Sequence, residues 1–505
     1  MRGVMCACCL LTALSGCSPA PKSVEASTPA SRAGSNSGKM PITSRSNEAV
    51  ALYARGRTLN ENLQPHEAYA LFQQAIALDP TFAMGEYALA STAPTAKHAR
   101  EHLDKALALA PGASDGERLL IRAMQARIDA NPTAVQQYAE SLATRYPNDE
   151  RAHWVLGNAY SAQQAYDKAI EQFEQAIAIN PQYSLAYNSV GYAYRPTGNT
   201  TAAEKAFQRY IALVPNDPNP YDSYAELLMK LGRFDESIVQ YRKALSIDPH
   251  FSGSFVGIAA DHMFAGRHAA AIAEANRYFS VARDDHERRA ALFTLALIHV
   301  DHGATDDALH AMEREYDLAR AIGDTSSMSS DAMAIGDILL DAGRVAAAHT
   351  RYRQAHDLVA ASSLSENLRQ ECDLITHYNM ARVALSVHDA ATARSEAAAY
   401  TRGAAATRNG DRVRQAHELN GLVSLEAEQF DLSLVDFAHA DRQNPAVAFA
   451  MALAYDGKGD RKKADALLTS AIQMYTLPTL PYVFVRARSR ALPGVRPSAS
   501  RVTAP

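Results

Sequence analysis

Cysteine, histidine and carboxylate side chains are where metal binding or catalysis would have to come from in this sequence. Four of its five cysteines, Cys6, Cys8, Cys9 and Cys17, crowd into the stretch "MCACCLLTALSGC", and the fifth, Cys372, lies far downstream. Zinc sites use two spaced cysteine pairs, or one pair followed by spaced histidines. Here no second pair follows, and the first histidine, His66, is distant. Three His-Glu pairs, at His66, His286 and His417, lack the second histidine four residues on that a helical zinc motif needs. No GxSxG elbow, GxGxxG turn or GxxxxGK phosphate loop occurs. What remains is "IHVDHGATDDALH", with His299, His302 and His310 near Asp301, Asp306 and Asp307. His299 and His302 are three apart and share a helix face, which suits a weak metal site. A polar helix end followed by the turn "DHGATDD" is the plainer account. The expectation is a chain that is not an enzyme and has no cofactor and no metal, with a metal or enzymatic site at His299 as an alternative.

The early cysteines lie among Val4, Met5, Leu10, Leu11 and Leu14, after Arg2. A positive start, a short apolar core and small residues before a cut describe a secretory signal peptide. The run is well short of the roughly 20 residues that span a bilayer. Its close, "LSGC", resembles the lipobox of bacterial lipoproteins. The resemblance implies a signal peptide over 1–16 and a mature chain that begins at a lipidated Cys17. Ser18 in place of aspartate implies the outer membrane, periplasmic side. Without lipidation the chain would be a cytoplasmic or signalling adaptor. Residues 17–45 are rich in Ser, Pro, Ala and Gly, cannot repay their ordering entropy by burial, and are expected to be a disordered linker. Such a coil reaches on the order of 30 Å. The formal charge of −5 gives no reason to expect nucleic acid.

From about Ser46 the chain repeats itself. The segments 154–181, 187–215 and 221–249 each read as two amphipathic helices around a polar turn, and they close at Pro181, Pro215 and Pro249. Gly157, Gly191 and Ala225 let one helix approach the next. Ala169, Ala203 and Ser237 do the same on the second helix, and Phe173, Phe207 and Tyr241 fill the gap. The proline then ends the second helix.

This pattern resembles the tetratricopeptide repeat family, through Leu156, Gly157, Tyr160, Ala169, Phe173, Ala176 and Pro181. An earlier unit matches at Leu52, Gly56, Ala68, Phe72, Ala75 and Pro80. After Pro249 the small second-helix residues recur at longer steps, at Ala271, Ala308, Ala348, Ala393, Ser433 and Ala464. The resemblance implies an all-α solenoid, a right-handed superhelix of about twelve repeats. The expected organisation is an N-terminal array over 46–250 and a C-terminal array with longer repeats over 251–476. A capping helix over 477–492 and a disordered tail over 493–505 follow. The basic end after Asp465, with Arg486, Arg488 and Arg490, reads as a solvated cap, or as a contact for anionic lipid or an acidic partner.

In the family the first helix of each repeat lines a groove that binds peptide segments. Carrying over that register places Arg151, Trp154 and Asn158, then Asn188, Tyr192 and Arg195, then Asp222, Glu226 and Met229 in the groove. Trp154 is the sole tryptophan and either meets a partner or packs on the neighbouring repeat. The lysine-rich clamp of chaperone-binding members is not matched, so capture of an acidic chain terminus is not expected. The resemblance implies a non-catalytic scaffold that binds other proteins, with a lipid anchor to the membrane, in envelope assembly or secretion.

Overall fold

The structure is a computed structural model and describes residues 38–61, 64–93, 96–129, 131–362, 366–407 and 409–491. Cys6, Cys8, Cys9 and Cys17, the expected signal peptide, most of the expected linker and the expected C-terminal tail lie outside the described residues. Among those described there are α-helices and one short 3-10 turn at Ala110–Gly112, and no strand. The chain divides into two compact units between Ser223 and Tyr224.

The N-terminal unit stacks helices in pairs. These are α1 (Asn47–Glu61) with α2 (Pro65–Leu78), α3 (Ala83–Thr92) with α4 (Ala96–Leu109), and α5 (Asp115–Ile128) with α6 (Pro132–Arg145). Then come α7 (Glu150–Ala162) with α8 (Tyr166–Ile179), and α9 (Ser184–Thr197) with α10 (Thr200–Leu213). The division falls inside α11 (Pro218–Lys230), earlier than the expected boundary after 250.

In the C-terminal unit α12 (Phe234–Ile247) leads into α13 (Ser252–Phe264), which pairs with α14 (His268–Val281). The next pairs are α15 (Asp285–His302) with α16 (Thr305–Ala321), and α17 (Thr325–Asp341) with α18 (Val345–Ala360). They are followed by α19 (Glu366–Ser386) with α20 (Ala390–Ala406), and α21 (Gly410–Glu426) with α22 (Phe430–His439). The last pair is α23 (Pro445–Gly457) with α24 (Arg461–Ile472), and α25 (Leu480–Ala491) ends the described chain. Within each unit each pair also packs on the next, so each is an all-α stack of helix pairs, a solenoid architecture.

The repeat residues do what their types suggest. A Cβ on Gly157 would lie 2.5 Å from the Phe173 ring, and one on Gly191 would lie 2.8 Å from Phe207. Only a bare backbone lets these rings lie flat on the facing helix. Phe173, Phe207 and Tyr241 are buried, as are Ala271, Ala308, Ala348, Ala393, Ser433 and Ala464. The stretched period after Pro249 comes from longer helices. Those of the α7 to α14 pairs run 13 or 14 residues, whereas α15 has 18 and α19 has 21.

Among the described residues, many of the turns between the two helices of a pair hold one left-handed residue. Gly198, Gly266, Gly303, Gly343 and Gly459 supply it in five pairs, whereas Gln164, His388 and Glu428 hold positive φ without being glycine. A left-handed L-residue costs about 1–2 kcal/mol. Glu428→Gly is therefore expected to stabilise the C-terminal unit by about 1 kcal/mol, less a few tenths for unfolded-chain entropy. A shift of the urea midpoint would measure it, and an unchanged or lower midpoint would refute the strain.

Candidate peptide-binding surfaces

In the N-terminal unit, Trp154 leaves α7 and bridges to the next pair. Its indole N–H donates to Ser189 Oγ at 2.9 Å, and its ring meets the Tyr183 ring edge-on at 6.5 Å. It packs against the cluster of Phe173, Val190 and Ala193. One turn on, Asn158 Nδ2 donates to the Trp154 carbonyl at 2.8 Å. On α9, Asn188 is 2% exposed, and its Oδ1 accepts no hydrogen bond among the described residues. The Arg195 guanidinium lies over the Tyr192 ring at 5.0 Å. Asp222 on α11 is fully buried. Of the two positions in the C-terminal unit, Glu226 is buried and Met229 belongs to its largest apolar cluster. The α11 positions are therefore packed inside rather than displayed.

Arg151 has a partner that spacing alone does not reveal. Its guanidinium pairs with Asp149 at 2.9 Å and donates to the Met40 carbonyl at 3.3 Å. Met40 belongs to the stretch expected to be linker, and the described residues 38–45 are held along the unit instead. The Met40 N–H donates to Asp149 at 2.8 Å, the Thr43 N–H to Glu117 at 2.7 Å, and the Arg45 N–H to Asp79 at 2.7 Å. These carboxylates cap or begin helices in successive repeats and are all buried. Buried carboxylates require donors, and an extended segment supplies backbone N–H groups at repeat spacing. The Met40 side chain packs with Leu142 and Leu156, and a Cβ on Gly116 would come within 2.5 Å of it.

Burial alone would raise the Asp79 carboxyl. The hydrogen bonds from Ser44, Thr81 and the Arg45 N–H outweigh it and hold the group at about 2. A carboxyl depressed in the folded state binds fewer protons there than in the unfolded chain. Its stabilisation is complete above its ordinary value near 3.8 and is lost as pH falls toward 2. The amide of Arg45 is expected to lose hydrogen-exchange protection over that window, and Asp79→Asn to flatten the dependence. Equal pH dependence in the variant would refute this role.

In the C-terminal unit the side chains flagged around His299 do not assemble as a set. Among the described residues no group of three His, Cys, Asp or Glu side chains is placed to hold a metal. Asp306 pairs with Arg344 at 2.7 Å, and His302 lies against His268 with ring centroids 4.4 Å apart. Asp301, fully buried, faces α25 instead. Arg486 Nε donates to Asp301 Oδ1 at 2.7 Å, and Arg490 Nη2 and His268 Nε2 meet Oδ2 at 2.5 and 3.0 Å. Burial pushes this carboxyl up, but His268, Arg486 and Arg490 together hold it below the ordinary carboxylate range.

The basic end is thus not a solvated cap over its described part. The five residues from Tyr482 to Arg486 are all buried, the mark of a helix covered on every side. Val485 packs on α23 and α24 as a cap would, with Phe449 and Leu468. The other face joins the cluster of α13, α15 and α17, where Tyr482 meets Phe264 at 5.7 Å and Arg486 lies over Phe264 at 4.9 Å. Arg488 pairs with Asp341 at the end of α17 at 2.6 Å.

Comparison with known proteins gives the repeats a family. The tetratricopeptide repeat family models match residues 131–184, 156–218 and 219–251. Among curated relatives, "Superkiller complex protein 3" of Mus musculus is 25% identical over 168 residues, 33% of this chain and 10% of that protein. "Anaphase-promoting complex subunit 3" of Schizosaccharomyces pombe is 30% identical over 99 residues, 20% of this chain and 14% of that protein. The chain thus spans a small part of these relatives. Among solved structures, a tetratricopeptide repeat protein from Parabacteroides merdae aligns with a TM-score of 0.33 at 13% identity, over 57% of this chain and 99% of that one. MamA from Desulfovibrio magneticus aligns with a TM-score of 0.29 at 16% identity, over 32% of this chain and 93% of that one. Residues 131–251 thus match tetratricopeptide repeat models, within a chain whose described residues form helices and no strand.

Proposed function

We propose that the chain is a non-catalytic scaffold, anchored to the outer membrane through lipid on Cys17, that binds peptide segments of envelope-assembly or secretion proteins from the periplasmic side. One observation carries the binding part. Asn188, at a first-helix groove position, is buried with an acceptor oxygen that no described residue satisfies. A buried unpartnered amide oxygen costs about 1–3 kcal/mol, which a donor on a bound peptide backbone would recover. Support for the address is the "LSGC" stretch and Ser18.

Two measurements test the two parts. Radioactive palmitate should label the wild type and not Cys17→Ala; label on both, or on neither, removes the anchor and leaves an unlipidated adaptor. Crosslinking in intact envelopes should recover a partner that Asn188→Ala and Arg195→Ala recover poorly. Equal recovery by both variants would take the N-terminal groove out of partner binding.

A further inference from the structure

Asp79, Asp149 and Asp301 are each met by several donors of their own. Glu315 on α16 and Asp331 on α17 are not. They are 5% and 3% exposed, and they share one cation, Arg289 of α15. Its Nη2 donates to Asp331 Oδ1 and Oδ2 at 2.8 and 2.9 Å and reaches Glu315 Oε1 at 3.4 Å. Glu315 Oε2 and Arg289 Nε are buried and meet no hydrogen-bond partner among the described residues. The surroundings do not add a second cation. Arg288, Arg314 and Arg351, on the helices around the pair, go to Asp285, the Phe279 ring and Glu313. Beside the carboxyls, Tyr316, Ala332 and Ala355 form an apolar cluster, and the Tyr316 hydroxyl accepts from Gln354 of α18. With every group ionised, this closed site would carry one uncompensated negative charge. Two carboxyls this close in a medium of low polarity do not both ionise, so one of them keeps a proton.

We propose that the interface between the α15–α16 pair and the α17–α18 pair is a pH-sensitive joint, closed by one proton held between Glu315 and Asp331 and loosened when that proton leaves. Arg289, Glu315 and Asp331 come from three helices of two consecutive pairs, so a surplus charge repels across the interface and not within one helix. Stability in a stack of repeats is a sum over such interfaces, so a change at one of them acts locally. The charged groups that act on the two carboxyls are each other, Arg289 and Asp324, which caps α17. Burial pushes both carboxyls up; Asp331 raises Glu315 further and Asp324 raises Asp331, while Arg289 opposes without restoring either. The folded chain therefore holds a proton that the unfolded chain gives up. The stabilisation is complete below the ordinary values near 4.5 and 3.8 and is lost as pH rises, through about 7 for Asp331. This joint needs neither the lipid anchor nor the groove at Asn188.

Hydrogen exchange of the full chain, read by mass spectrometry, tests the joint. Peptides of α16 and α17 are compared with those of α7 and α8 in the same molecule, which cancels the intrinsic pH dependence of exchange. Between about pH 5 and about pH 9 the relative protection of α16 and α17 should fall at least tenfold. Glu315→Gln leaves one carboxylate for the one guanidinium, and its relative protection should stay level. The infrared stretch of protonated carboxyls is the second readout. Wild type should lose a component of it over the same range, and Glu315→Gln should lack that component from the start. Asp331→Asn, which leaves Glu315 to Arg289, should behave in the same way and serves if Glu315→Gln does not fold. Level relative protection in the wild type overturns the proposal. So does a folded variant that keeps the wild-type pH dependence or the infrared component, because the pair would then hold no proton that governs the interface.

Discussion

Phe173→Ala is expected to cost the N-terminal unit about 3–5 kcal/mol. The ring is 1% exposed and fills the space between α7 and α8, lying against the bare backbone at Gly157. Truncation leaves a void that two helices already held at their neighbours by Ala169 and Val190 cannot close, so both transfer and cavity terms are lost. Gly157→Ala approaches the same contact from the other side. Alanine favours the helix by about 1 kcal/mol, but its Cβ would meet three ring atoms at 2.5–3.0 Å, and an aromatic ring does not yield as a flexible chain end would. Overpacking of about 1–3 kcal/mol should win, and Gly157→Ala should destabilise. Trp154 packs on this cluster, so its fluorescence follows unfolding of this unit in urea. Repeat arrays need not unfold in one step, and the local reporter avoids assuming that they do. A Phe173→Ala midpoint shift worth under 1 kcal/mol would falsify the packing account.

Asp301→Ala is expected to cost the C-terminal unit about 3–5 kcal/mol. It strips the partner from Arg486, whose side chain is only 8% exposed, and removes the acceptor of Arg490 and His268 together. Hydrogen exchange should show α25 losing protection first, with α15 following, because the clasp joins them directly. Acid should act in the same direction. The carboxyl is depressed when folded, so its stabilisation is present above its ordinary value near 3.8 and fades as pH falls below it. Asp301→Ala should lose that acid sensitivity. Full protection of α25 in the variant would show that apolar contacts, not the clasp, hold the helix.

How much of this could be read from the residues varies with the range of the contact. Gly157, Phe173 and Pro181 lie within one repeat, so their 34-residue recurrence at Gly191, Phe207 and Pro215 shows both the elements and their packing. The longer steps at Ala308, Ala348 and Ala393 were equally visible and correspond to longer helices. Trp154 was ambiguous because an amphipathic ring suits a groove or a seam, and only the Ser189 hydroxyl at 2.9 Å shows the seam. For α11, the register that puts Glu226 and Met229 on a first-helix face says nothing of what covers that face.

The sequence by itself determined the paired-helix repeat and its stacking on neighbours, because a solenoid is built from neighbour contacts and a repeating neighbour contact leaves a period. Only the tertiary structure decided where the first and last described segments pack. Met40 meets Asp149 across 109 residues, and Arg486 meets Asp301 across 185. Each of these pairings occurs once, so it leaves no period. A low-complexity stretch and a basic tail look solvated until distant buried carboxylates supply the partners that order them.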